Sequence, residues 1–168
     1  MKLKAISGAL LALGSLGFAM VAGPSPAGAT GPTMSVTIGG PIKVANHLLL
    51  TVPVDVVCDR IGDTTTTTIS DNVSVTVAQA NGKSVSQAQA LLSGGPSSMS
   101  GNPNPFLTCD GSTVNHVAVS ALGNGPFHGG GAVASASASH SVGTCSFFCT
   151  STASENGSTG QVAVNLKG

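Results

Sequence analysis

The chain has 168 residues with six basic and six acidic side chains, hence no net charge, and it contains neither Trp nor Tyr. So few charges, with no basic patch among them, argue against nucleic acid and anionic membrane as partners. Four cysteines in a chain of one-domain length point instead to a small disulfide-bonded fold.

The N-terminus explains the cysteines. Lys2 and Lys4 precede an apolar run from Ala5 to Ala22, and Ala27-Gly28-Ala29 is a small-x-small cleavage site. This is the layout of a secretory signal peptide over residues 1–29. The helix breakers Pro24 and Pro26 ahead of that site favour cleavage over a membrane anchor. The expected mature domain, 30–168, is then secreted, carries four basic against six acidic residues, and keeps only Phe106, Phe127, Phe147 and Phe148 as aromatics. It is expected to be a single domain with a modest aliphatic core and no membrane anchor.

Strand signals follow in order. Met34 to Ile38 alternates, and Gly39-Gly40-Pro41 is a turn. His47 to Cys58 is the strongest strand: Leu48, Leu50, Val52, Val54, Val56 and Cys58 share one parity. Pro53 lacks a ladder donor and predicts an edge or bulge at mid-strand. The threonine run Thr64 to Thr68 reads as a solvated edge strand. Val73, Val75 and Val77 lead to an Asn81-Gly82 hairpin turn. A two-residue loop there opposes Val77 to Ser86 and Val75 to Ala88, although Gln87 to Leu92 also fits a helical turn.

Residues 93–105 are Gly/Pro/Ser/Asn-rich and read as a loop. A strand through Cys109, an Asp110-Gly111 turn and a strand through Val117, Val119 and Ala121 come next. Gly123 to Gly131 is a Gly-rich crossing around Phe127. Ala132 to Ala138 alternates Ala with Ser, giving an Ala face and a hydroxyl face. Residues 145–149 form a small loop, 151–159 a polar loop, and Val162, Val164 and Leu166 a last strand. About seven or eight short strands with no helix predict an all-β fold, an antiparallel Ig-like/Greek-key β-sandwich.

Four cysteines allow three pairings. The short separation of Cys145 and Cys149 favours their pairing and leaves Cys58 with Cys109. A zinc site is the competing reading, but the spacing is not that of paired C-x-x-C knuckles.

The segments Leu107-Thr108-Cys109-Asp110-Gly111, His116-Val117-Ala118-Val119 and Gly131-Ala132-Val133-Ala134, with Cys58 upstream, resemble an Ig-like pattern. That pattern recurs in small secreted proteins of high-GC Gram-positive bacteria, many of them uncharacterised. The resemblance implies a Greek-key sandwich with one inter-sheet disulfide and says nothing of activity. The chain is more weakly similar to the neocarzinostatin family of chromophore-carrying apoproteins, in which a short disulfide loop near the C-terminus matches Cys145 to Cys149. The separation of Cys58 and Cys109 departs from that family, which implies carriage of a small apolar ligand.

No catalytic constellation is legible. There is no G-x-S-x-G elbow, no pair of carboxylates in an apolar setting, and Glu155, the only glutamate, falls in a polar stretch. The glycine clusters do not join a strand to a helix, so no phosphate cradle is expected. His47, His116, His128 and His140 are too dispersed to predict a metal site, and no cofactor is expected. His116 falls on a wet face. The sequons at Asn72 and Asn156 read as coincidence. Phe147-Phe148 is the best candidate contact site, because adjacent side chains of an extended segment point opposite ways and cannot both face a core. Phe147 and Phe148, with Phe127 of the Gly-rich crossing, are the candidate contact residues; the competing reading is that Phe147 and Phe148 both cap the open end of the core. The expected role is a secreted, non-catalytic structural or binding module whose partner is a protein or a small apolar ligand. In the carrier alternative, the ligand cleft is lined by the Ala132 to Ala138 face with Phe127 or Phe147/Phe148.

Overall fold

The computed structural model describes residues 33–63, 66–96 and 104–168. The expected signal segment, Thr64 and Thr65 of the threonine run, and residues 97–103 of the expected loop lie outside them. The described residues form an all-β fold of nine strands without a helix: β1 (Ser35–Ile38), β2 (Ile42–Ala45), β3 (Leu49–Val57), β4 (Thr67–Asn81), β5 (Ser84–Gly94), β6 (Asn115–Gly123), β7 (Gly130–Cys145), β8 (Cys149–Ser158) and β9 (Val162–Lys167).

The strands make two layers. In one, β3 lies between β6 on one edge and β1 and β2 on the other, all antiparallel. In the other, β4 lies between β5 and β7, and β7 pairs with β9 through its first half and with β8 through its second. Two short ladders join the layers: β2 runs parallel to β9 at Ile42↔Leu166, and β5 meets β6 at Ala88↔Gly123. The hydrogen-bonded sheet is thus continuous and largely antiparallel. The connections from β3 to β4 and from β6 to β7 each pass from one layer to the other, as in a Greek key.

Period-two alternation builds the core. Val52, Val54 and Val56 of β3, Val73, Val75 and Val77 of β4, Val119 and Ala121 of β6, and Ala134, Ala136 and Ala138 of β7 point inward and are buried. Pro53 sits where a ladder bond is dispensable. Its carbonyl accepts from Gly39 N at 3.0 Å, where β1 ends at Ile38↔Val54 and before β2 begins at Lys43↔Thr51. In an antiparallel strand the N–H and C=O of one residue share an edge. The missing donor therefore faces the gap between β1 and β2.

Several expectations are corrected. The β4–β5 turn is Gly82-Lys83, closed by Asn81↔Ser84, so Val77 opposes Ala88 rather than Ser86. Gly82 has φ +62°, and glycine at the first central position is what a two-residue II′ hairpin demands. Residues 87–92 are strand, not a helical turn, because β5 pairs with β4 along its length. Thr67 and Thr68 pair with Val142 and Gly143 of β7 and so belong to β4 rather than to a separate edge strand. Residues 151–158 are not a loop but most of β8, whose polar side chains are tolerated because β8 is an outer strand. β2 was not expected either; its four residues are too few to show a period.

Candidate functional site

Both disulfides form as the spacing suggested, Cys58–Cys109 and Cys145–Cys149. The first does not link strands of facing layers, as the Ig-like resemblance implied. Cys109 lies on no strand but in the segment ahead of β6, the immediate neighbour of β3. That segment lies across one end of the sandwich and is fastened by two buried side chains. Asn115 donates Nδ2 to the Val56 and Thr108 carbonyls and accepts from Thr108 N at 2.7 Å. Asp71 accepts from Phe106 N and Leu107 N on Oδ2 at 2.8 and 2.9 Å.

Asp71 begins a row of ionisable groups. Across β4, β7 and β8 the ladder aligns Asp71 with His140 and His140 with Glu155. All three side chains point inward and are buried. The row continues the core's parity: Asp71 lies two residues before Val73, and His140 two residues after Ala138. Asp71 Oδ1 lies 2.7 Å from His140 Nδ1. Glu155 is different, since neither carboxylate oxygen has a hydrogen-bond partner among the described residues. Burial pushes its pKa up, against the pull of the His140 charge and of the nearby Asp59 backbone N–H; the Asp59 carboxylate adds to the rise.

Glu155 also meets the disulfide. A carboxylate oxygen of Glu155, Cys58 Sγ and Cys109 Sγ lie within 4.8 Å of one another. With the sulfurs bonded to each other, the trio presents no thiolate to a metal. A surface cleft of about 550 Å³ opens beside the trio, lined by Asp59, Arg60, Ile61, Asp110, Gly111 and Ala153. Asp59 and Asp110 directly follow the two cysteines. Asp110 is held well below the usual carboxylate range, first by the Thr113 hydroxyl at 2.6 Å and then by the Thr113 and Ser112 backbone N–H groups.

The expected contact residues separate. Phe147 and Phe148 stand 97 % and 86 % exposed at the tip of the β7–β8 hairpin, in a three-residue loop pinned by Cys145–Cys149. Phe127 is fully buried at the other end of β7, where its N–H donates to the His47 carbonyl at 2.7 Å. It packs in the core and offers no surface. The expected cleft over the Ala132 to Ala138 face does not form either, because Ala134, Ala136 and Ala138 fill the core. The hydroxyl face of β7 does form. Ser137 Oγ lies 2.7 Å from Ser74 Oγ in a shallow polar groove that Asn72, Ser139 and Asn156 also line.

The histidines divide among three places. His116 is exposed, as its parity indicated, and pairs with Asp55 at 2.7 Å. The His47 and His128 rings approach to 5.3 Å between centroids, an association that no short sequence spacing announced. His140 belongs to the buried row. Of the sequons, Asn72 is tied by Ser139 and Ser93 side chains inside β4, and Asn156 lies exposed on β8.

Sequence reasoning missed the Asp71–His140–Glu155 row. Ala134, Ala136, Ala138, His140 and Val142 share one parity, as do Asp71, Val73, Val75 and Val77; extending both stripes would have placed Asp71 and His140 inside. Nothing comparable marked Glu155, whose strand lacks an apolar stripe. In comparisons with known proteins, the chain matches no family model, no curated protein and no solved structure.

Proposed function

We propose that the protein is a secreted, non-catalytic binding module that engages a protein partner through Phe147 and Phe148. The observation that carries this reading is the exposure of two adjacent phenylalanines on a disulfide-closed hairpin tip. Full burial of each ring in a partner pocket is worth roughly 1.5–3 kcal/mol. The Cys145–Cys149 bridge holds the tip in shape beforehand, so less entropy is lost on docking. A convex tip of this kind suits a concave apolar pocket better than a flat interface. Photo-crosslinking tests the reading: a benzophenone side chain at position 148 should label one discrete surface or secreted protein of the source organism, and Phe147→Ala should abolish the adduct. Labelling that is diffuse, or unchanged by Phe147→Ala, would refute it.

A second reading has its own support. A groove of about 540 Å³ between β1 and β9 is lined by Val36, Ile38, Pro41, Val162 and Val164. On the carrier reading this partly apolar groove would hold the ligand. Native mass spectrometry of protein purified from its source should then retain a small apolar molecule; bare protein mass argues against carriage.

A further inference from the structure

A buried carboxyl group short of hydrogen-bond partners demands a physical reason, because burying a polar group without them is destabilising. Among the described residues neither Glu155 oxygen accepts a well-formed hydrogen bond, with only the Asp59 backbone N–H lying near enough to pull on it, and Glu155 is the only glutamate in the chain. Its surroundings are specific. His140 on β7 is its ladder partner, Asp71 on β4 lies one strand further, and Asp59 follows β3. The Cys58–Cys109 sulfurs lie within 4.8 Å of its oxygen. The remaining charges nearby, Arg60 and Asp110, line the cleft that opens beside the bridge.

We propose that Cys58–Cys109 is an exchangeable disulfide, and that Glu155 is the proton donor to Cys58 when an external thiolate attacks Cys109. The two sulfurs are not equivalent. Cys58 is fully buried, whereas Cys109 is partly exposed and its neighbours Asp110 and Gly111 form the cleft wall. Attack therefore comes at Cys109, and Cys58 is the leaving group.

Expelling a bare thiolate into a site without solvent is unfavourable, because burial raises a thiol's pKa. A proton from Glu155 removes that obstacle. The attacking sulfur bonds to Cys109 Sγ, the Cys58–Cys109 bond breaks, and its electron pair stays on Cys58 Sγ, which takes the proton from the Glu155 carboxyl. The products are a mixed disulfide at Cys109, a Cys58 thiol and a Glu155 carboxylate beside His140. The second thiol of a dithiol then displaces Cys109 as a thiolate, so the dithiol is oxidised and the protein disulfide reduced by two electrons. Burial raises the Glu155 pKa, which is the direction a proton donor requires. In the reverse direction the Glu155 carboxylate takes the proton from Cys58 as the bridge closes.

The test is reduction of the folded, oxidised protein by dithiothreitol, with alkylation and mass spectrometry to follow each cysteine pair. Cys145–Cys149, at the exposed hairpin tip, is the internal control. Cys58–Cys109 should be reduced at a rate proportional to thiolate concentration and faster than global unfolding. At the acidic end of the accessible pH range, Glu155→Gln should slow it about tenfold per thiolate and leave the control unchanged. Equal rates in wild type and variant, or a Cys58–Cys109 rate that is independent of dithiothreitol and equal to unfolding, would overturn the proposal. Should Glu155→Gln not fold, the wild-type pH profile decides. The Cys58–Cys109 rate per thiolate should fall with rising pH while the control stays flat, and parallel profiles would be contrary.

Discussion

Glu155 faces His140 across the β7–β8 ladder, and neither of its oxygens forms a hydrogen bond to that ring. The raised pKa of Glu155 has a definite sign in stability. The native state holds the proton more tightly than the unfolded chain, so stability is unaffected below the ordinary value of 4.5 and falls as pH rises above it. The loss continues until the raised folded pKa is passed, with a slope of at most about 1.4 kcal/mol per pH unit for one proton. Urea unfolding from pH 4 to 8 should show this decline in wild type and a weaker one in Glu155→Gln. Parallel curves would mean that Glu155 is solvated.

Asp71 should be the most sensitive polar position at this end of the molecule. Asp71→Ala would strand the Phe106 and Leu107 N–H groups and His140 Nδ1 in a buried setting. The expected cost is about 3–5 kcal/mol, the range for breaking a buried pair by removing one partner. Thermal melting checks it, and a change below ~1 kcal/mol would show that water replaces the carboxylate.

The phenylalanines should separate by position. Phe127→Ala removes a fully buried ring and should cost about 3–5 kcal/mol. Phe147→Ala and Phe148→Ala should each stay within about 0.5 kcal/mol of wild type, as exposed sites do. A large loss at Phe148 would place that ring in contact with the body of the protein.

The two disulfides should differ in weight. On the chain-entropy account, closing the 51-residue separation of Cys58 and Cys109 contributes roughly 4 kcal/mol, and the four-residue separation of Cys145 and Cys149 about 2. Replacing each pair with serine and comparing denaturation midpoints measures both. The reverse order would mean that strain at Cys58–Cys109 offsets its entropic gain.

Much of this arrangement was legible in the linear chain because inward and outward residues alternate along a strand. Val52, Val54 and Val56, Val117 and Val119, and Val162 to Leu166 announce their strands without reference to anything else. Pro53 announced a missing ladder bond, met not by the expected edge or bulge but by the gap between β1 and β2, and the close spacing of Cys145 and Cys149 announced their bridge. The adjacency of Phe147 and Phe148 announced that at least one of them would be exposed, and the structure exposes both.

Tertiary structure decided the rest, for reasons of pairing. β8 carries Ser, Thr, Asn and Glu and has no stripe of its own; it is a strand because β7 is long enough to template it. The Asn81-Gly82 signal marked the hairpin, but the turn moved by one residue because the long β4–β5 ladder selects the register that closes at Asn81↔Ser84. Phe127 sits in a Gly-rich crossing whose path depends on which layer β6 and β7 belong to, so its burial could not be read locally. The meeting of Asp71, His140, Glu155 and the Cys58–Cys109 bridge is the extreme case. The residues are scattered from position 58 to position 155, and only the packing of four strands and one loop brings them together. Local alternation therefore determined which elements form. Long-range register determined which ionisable groups share the interior.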